Sequence, residues 1–224
     1  MITFVISFQI LFFMKKLLYL LFLILVPNIL FSQLEIGLKT GINMCHAKYI
    51  DEAKDNLVKP YRKLKPGLAG GIVLHHQLNK ILSVQAEILY TQKGLKFEQL
   101  PFSKTKNTMN YLELPFSGHY TLFNNGISSF KTLIGGYAAY WLYGNYKRED
   151  LSTGEILSEK VDFNNEDYTY NRIDAGVLGG IVYKYNRTSL FLRYSHSMSG
   201  SSEDNADDLT NRVITGGIII DILH

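Results

Sequence analysis

Residues 34–45, LEIGLKTGINMC, carry apolar side chains or threonine at every even position and polar or small side chains at the odd positions up to Cys45. Successive side chains of a β-strand point to opposite faces of a sheet. The stretch therefore predicts a strand with one apolar face and one polar face. Glu35 and Lys39 fall on the polar face.

The same alternation returns along the chain and predicts eight strands in all, with a bulge at Pro115, since proline cannot donate a ladder hydrogen bond. The predicted strands are residues 34–46, 65–77, 81–98, 108–122, 128–146, 168–184, 188–199 and 211–223. The connections alternate between long ones (47–64, 99–107, 147–167, 200–210) and short ones (78–80, 123–127, 185–187). This alternation predicts an all-β, up-and-down antiparallel barrel with its short turns at one end.

Three features predict that the apolar face of this barrel meets lipid rather than a soluble core. The polar face mixes acids and bases with small residues such as glycine, which suits a narrow lumen. The strands exceed the length of about 9 to 11 residues that crosses hydrocarbon. Aromatic residues recur at both ends of the apolar bands, as in interfacial girdles: Tyr120, Phe123, Tyr183 and Tyr185 at one end, and Tyr90, Tyr143, Tyr168 and Tyr194 at the other. A soluble lipocalin-like binder is the alternative.

The N-terminal segment has the layout of a secretory signal peptide. Met14-Lys15-Lys16 precedes an apolar run over 17–26 and a stretch that ends at Ser32. We expect translation from Met14, a signal peptide within 1–32 and a mature barrel domain over 33–224; a longer anchor helix is the alternative. The net charge of +3 does not indicate nucleic acid, and one cysteine in 224 residues excludes an intramolecular disulfide.

Several segments resemble the PorT-like outer-membrane β-barrel proteins of Bacteroidota. They are residues 37–43 (GLKTGIN), 67–71 (GLAGG), 85–94 (QAEILYTQKG) and 111–115 (YLELP), in the order expected for that family. The resemblance covers nearly the whole mature chain. It implies an outer-membrane location, an eight-stranded barrel and, through the founding member, an association with protein secretion and gliding.

Five charged residues lie on the polar faces of the predicted strands, and we interpret them as ion pairs that fill the lumen. An eight-stranded barrel is wide enough inside only for side chains. A buried unpaired charge costs several kcal/mol, so the acids need basic partners nearby. A proton relay or ligand site is the alternative. The five are Glu87, Glu113, Lys131, Asp174 and Arg193.

Two histidine-containing motifs do not predict a catalytic or metal site. Ser195-His196-Ser197 is reminiscent of a hydrolase, but neighbouring residues of a strand point to opposite faces and cannot form a hydrogen-bonded pair. We expect His196 to face lipid and both serines to face the lumen. His75 and His76 are separated in the same way. We therefore predict no catalytic residue, no metal and no cofactor.

The function that the sequence favours is that of a non-enzymatic outer-membrane barrel with a structural or interaction role. Its surface would contact outer-membrane lipid, and its long loops 47–64 and 147–167 would contact a protein partner. The alternatives are a small-solute channel and, less favoured, a lipid-modifying barrel enzyme.

Overall fold

The computed structural model describes residues 34–163, 171–200 and 209–223 of the protein. The signal peptide expected within residues 1–32 and the aromatic side chain of Tyr168 lie outside these residues. The elements are β1 (Leu34–Tyr49), α1 (Glu52–Val58), a 3₁₀ turn (Lys59–Tyr61), β2 (Arg62–Lys63), β3 (Lys65–Gln77), β4 (Leu82–Gln99), β5 (Ser103–Asn124), β6 (Ser128–Asp150), β7 (Ile156–Lys160), β8 (Ile173–Tyr185), β9 (Thr188–Ser197) and β10 (Leu209–Leu223).

Eight long strands form a closed antiparallel ring in the order β1, β3, β4, β5, β6, β8, β9, β10, and β10 pairs with β1. Closure leaves no edge on these eight strands. The short strands β2 and β7 add to β4 and β6. The predicted eight-stranded up-and-down barrel is confirmed. Among the described residues, no helix is long and apolar enough to cross a membrane.

The two ends of the barrel differ as the loop lengths predict. We call the end with the turns at 78–81, 125–127 and 186–187 the inner end, and the opposite end the outer end. The turns are tight: Asn186 adopts a φ of 55°, and the side-chain oxygen of Asn125 accepts hydrogen bonds from the amides of Ile127 and Ser128 at 3.1 and 2.7 Å. The short turns fix which strands are neighbours.

The outer end contains more strand than the sequence predicts. β5 and β6 run for 22 and 23 residues, so most of the predicted loop 99–107 belongs to β5, and the predicted loop 147–167 includes the end of β6 and the strand β7. At the other strand ends, the predicted and the observed boundaries differ by only a few residues. The exception is β8, which begins at Ile173 rather than at the predicted residue 168. The extensions were missed because their outward side chains are polar, whereas backbone pairing continues without an apolar face.

The face assignment of the strands is confirmed. Leu38 and Ile42 of β1 are 53% and 54% exposed on the outside of the barrel, whereas Lys39 and Asn43 are 5% and 0% exposed inside it. The same alternation holds around the ring. The barrel therefore presents an apolar outer surface, as a membrane barrel does.

The bulge predicted at Pro115 is absent, and the proline acts differently. Pro115 lies opposite Tyr137 of β6 without a register shift. On its other side, the pairing with β4 skips residues 87–88 and resumes in the same register at Leu89. Because proline lacks an N–H, it interrupts the ladder without inserting a residue. The register shifts of β5 against β6 occur at Asn110/Tyr111 and at Thr121/Phe123.

Candidate functional site in the barrel interior

A chain of six charged side chains of alternating sign crosses the barrel interior. Its links are Lys39 Nζ to Glu87 Oε2 (2.8 Å), Arg193 Nη1 to Glu87 Oε2 (3.3 Å), Arg193 Nη2 to Glu113 Oε1 (3.0 Å), Lys93 Nζ to Glu113 Oε2 (2.7 Å) and Lys93 Nζ to Asp174 Oδ2 (3.0 Å). All six side chains are at most 7% exposed. We call this set the charge chain. Three cations and three carboxylates leave it electrically neutral.

Glycines on the polar face let the strands that carry the charge chain approach closely. Lys39 of β1 lies directly opposite Gly71 of β3, and Arg193 of β9 lies directly opposite Gly180 of β8. A Cβ at Gly71 or at Gly180 would lie 2.0 or 2.3 Å from a backbone oxygen of the next strand. The neighbouring backbone therefore occupies the space that a side chain would need at both positions.

Aromatic and hydroxyl groups surround the charge chain. Lys39 Nζ lies 4.1 Å from the centroid of the Phe191 ring, and Lys93 Nζ lies 4.2 Å from that of Tyr137. The hydroxyls of Ser197 and Tyr137 donate to Asp174 Oδ1 at 2.6 and 3.2 Å. These contacts replace water around the buried charges, which would otherwise be strongly destabilised.

Aromatic side chains fill the interior on the outer side of the charge chain. Trp141 is 1% exposed, and its ring centroid lies 6.0 Å from that of Tyr111 and 5.0 Å from that of Phe163. Nearer the outer end, Tyr49 stacks on Phe97 at 6.4 Å. The outer half of the lumen is therefore packed like a protein core.

The inner end of the lumen is open by comparison. A cavity of about 460 Å³ lies among the inner turns and is lined by Gln77, Lys131 and Lys184 among others. A smaller pocket of about 30 Å³ shares both lysines with it and also contacts His75 and His119. Among the described residues, the lumen is thus open at its inner end and packed with side chains in its outer half.

The structure brings together four of the five predicted lumen residues: Glu87, Glu113, Asp174 and Arg193. Lys131 belongs elsewhere, because it lies near the inner end of β6, where its Nζ is 3.2 Å from His75 Nε2 and 3.5 Å from Gln77 Oε1. The grouping of Lys131 with the other four is therefore corrected: it shares their face of the sheet but not their height.

Sequence reasoning missed the two lysines that complete the charge chain, Lys39 and Lys93. Both lie on interior faces that alternation identifies: Lys93 is in step with Glu87 along β4, and Lys39 is an odd position of β1. The alternation of polar and apolar residues therefore places both lysines inside the barrel.

The two histidine motifs are divided between faces as expected. Ser195 and Ser197 are 3% and 2% exposed inside the barrel, whereas the ring of His196 stacks beside that of Tyr194, which points outward, at 6.5 Å. Within residues 34–163, 171–200 and 209–223, no group of three or more His, Cys, Asp or Glu side chains could hold a metal ion.

The outer segment 47–64 is held by an acidic side chain. Asp55 of α1 accepts a hydrogen bond from the Tyr49 amide at 3.0 Å and pairs with the Arg62 guanidinium. Burial acts to raise the pKa of Asp55, but these hydrogen bonds and the positive charge of Arg62 outweigh it and lower the pKa below the usual value for aspartate. This anchoring gives part of the long loop a defined shape.

A family comparison agrees with this architecture, and several solved structures are similar to the chain. A family model described as "Outer membrane protein beta-barrel domain" matches residues 29–203. Similar solved structures include Ail, the attachment invasion locus protein of Yersinia pestis (15% identity, 85% of this chain and 99% of that chain covered, TM-score 0.42), and Neisserial surface protein A (13%, 84% and 97%, 0.45). The outer membrane protein OprG from Pseudomonas aeruginosa is a third (9%, 85% and 96%, 0.42). No curated protein matches the chain.

Proposed function

This chain belongs to the family of outer membrane protein beta-barrel domains, and from that membership we propose that it is a non-enzymatic barrel that binds a protein partner through its outer end. The protein lies in the outer membrane, in contact with lipid. The observation that carries the proposal is the packed outer half of the lumen together with the exposed apolar side chains of the outer segments.

The filled interior argues against a small-solute channel. A hydrated solute that enters from the outer end would meet the packed rings around Trp141 and then the charge chain, whose ion pairs link β1 to β8. Displacing the rings would open a cavity in a packed region, and displacing the charge chain would break buried ion pairs. Each change costs several kcal/mol.

The outer segments present exposed apolar side chains beyond the membrane belt. Leu57, Leu100 and Phe102 are 75%, 61% and 60% exposed, and Ile156 and Leu157 of β7 are 58% and 50% exposed. Exposed apolar patches on ordered segments are typical of protein-interaction sites. They lie in the loops 47–64 and 147–167, which the sequence favours for this role, and in the connection between β4 and β5.

The resemblance to PorT-like proteins supports a finer proposal, a link with protein secretion. The proposal also includes export through a signal peptide within residues 1–32. The mass of the mature protein tests this last point, because cleavage after Ser32 leaves a chain that begins at Gln33.

Two measurements test the proposed function. In planar bilayers the purified barrel should show no stable single-channel openings, and stable openings would contradict the closed interior. Lipid A should have the same mass spectrum with and without the protein, whereas a mass change would indicate a lipid-modifying enzyme.

A pull-down from detergent-solubilised outer membrane tests the interaction role. Tagged wild-type protein should capture a partner that the double variant Ile156→Ser/Leu157→Ser captures several-fold less. The matched control is Leu78→Ser/Ile127→Ser, which changes side chains of similar exposure, 55% and 64%, at the inner turns. Equal capture by all three proteins would contradict a partner site at the outer end.

A further inference from the structure

Four lysines lie side by side on neighbouring strands near the outer end. The register places Lys63 of β2 opposite Lys96 of β4, Lys96 opposite Lys106 of β5, and Lys106 opposite Lys147 of β6. Directly opposite residues have Cα atoms about 4.5 to 5.5 Å apart. We call these four residues the lysine row. It concentrates four positive charges within about 15 Å.

The lysine row points away from the lumen. Leu95, the preceding residue on β4, is 5% exposed inside the barrel, so Lys96 projects outward. Lys63, Lys106 and Lys147 are exposed, and Lys96 is half-buried. The row therefore faces whatever surrounds the barrel at this height.

The surroundings of the row do not neutralise it. Lys104 and Lys160 occupy the adjacent positions on the same outward face of β5 and β7, where Glu98 and Glu149 are the described carboxylates. Lys96 Nζ pairs with Glu98 at 2.6 Å. Six lysines against two glutamates leave a net positive surface. Like charges on directly opposite residues destabilise a sheet unless an anion lies among them.

The β6 end of the lysine row, Lys147, lies at the height of the headgroup layer of the membrane. The hydroxyls of Tyr90 and Tyr143, 2.9 Å apart, lie at the outer limit of the apolar belt. On the same strand, β6, Lys147 lies four residues beyond Tyr143. That separation is about 13 Å along the strand and about 10 Å along the membrane normal for a typical barrel tilt. Lysine stems bend several ångströms back toward an interface.

We propose that the lysine row binds phosphate groups of lipid headgroups in the outer leaflet. An outward-facing set of ammonium groups just beyond an apolar belt can neutralise phosphates on lipids whose chains pack against that belt. The bound phosphates would in turn offset the repulsion among the four lysines. The inference is independent of whether the outer loops bind a protein.

The test compares lipid retention by the wild type with that of matched variants. Each protein is placed in nanodiscs of phosphatidylcholine with a minor fraction of phosphatidic acid and then extracted in mild detergent, and the retained lipids are measured by mass spectrometry. The variants are Lys96→Gln/Lys106→Gln/Lys147→Gln, the charge-conserving Lys96→Arg/Lys106→Arg/Lys147→Arg, and Lys59→Gln, an exposed lysine outside the row. Heat-modifiability on gels reports that each variant is folded.

We expect the wild type, the arginine variant and Lys59→Gln to retain phosphatidic acid above its share of the nanodisc lipid. The triple glutamine variant should lose this preference about tenfold or more, since each lysine near a charged membrane surface contributes measurably. An unchanged preference in that variant, or an equal loss in Lys59→Gln, would overturn the proposal. If the wild type bound soluble polyphosphate but showed no preference for phosphatidic acid in nanodiscs, the lysine row would be a site for free anions, and this result would overturn the proposal too.

Discussion

Arg193 joins the two halves of the charge chain, because its guanidinium contacts both Glu87 and Glu113. Replacing Arg193 by leucine leaves two lysines to neutralise three buried carboxylates. We expect this change to destabilise the barrel by about 3 to 5 kcal/mol, the usual cost of removing one partner from a buried ion pair. The measurement is the temperature at which the folded band disappears on a gel, which should fall without loss of export.

Two further variants separate this charge effect from a loss of packing. Arg187→Leu removes an exposed arginine at an inner turn and should change stability by no more than about 0.5 kcal/mol. Arg193→Leu/Glu113→Gln removes one charge of each sign and should be more stable than Arg193→Leu alone. An Arg193→Leu barrel that melts like the wild type would contradict a structural role for the charge chain.

The face of each interior residue could be predicted from the sequence, but its height could not. Alternation identifies Glu113 and Lys131 as interior because the side-chain period of a strand is two. Whether Arg193 reaches Glu113, 80 residues earlier, depends on the register of strands that the chain brings together only on folding. The same limit applies to the lysine row, whose members are neighbours solely through register.

At the scale of the strand, Gly135 allows β6 to approach β5 closely. A Cβ at this position would lie 2.1 Å from the backbone oxygen of Phe116, which cannot move as a side chain can. We expect Gly135→Ala to destabilise the barrel by about 1 to 3 kcal/mol through overpacking. Gly118→Ala on β5, where a Cβ meets nothing within 4 Å, is the matched control. The stability of each variant is measured as the urea concentration at which the folded, heat-modifiable band is lost from the gel. Equal stabilities of Gly135→Ala and Gly118→Ala would refute the close-approach argument.

The outer segment 47–64 should respond to acid through Asp55. Its pKa in the folded protein is lowered, so its bonds stabilise the segment above the unfolded pKa of about 3.9 and lose that effect as the pH falls through the folded value. We expect hydrogen exchange at the Tyr49 amide, which donates to Asp55, to accelerate at low pH after correction for intrinsic rates. Asp55→Asn should show weaker protection at neutral pH and little further change with acid. Equal pH profiles would contradict this role.

The number and order of the strands could be predicted because each spanning strand must alternate and each short turn must reverse the chain. The length of β5 and β6 could not, because beyond the membrane belt Lys104, Thr105 and Lys106 are paired through the backbone without an apolar face. The apolar pattern therefore marks where the membrane belt ends rather than where the strand ends.

At the scale of the whole barrel, the described residues pack the outer half of the lumen and leave its inner end open, and this asymmetry predicts that the lumen can be reached from one side only. Barrels of this kind carry their long loops outside the cell and their short turns in the periplasm. In a Cys45→Ser background, Gln77→Cys at the inner cavity should react with a thiol reagent that cannot cross the membrane only after intact cells are opened. Thr215→Cys, at a position 1% exposed in the packed interior, should react only after unfolding. Labelling of Gln77→Cys from outside intact cells would show a through-passage and contradict the closed interior, because the reagent would have to pass Trp141 and the charge chain to reach that thiol.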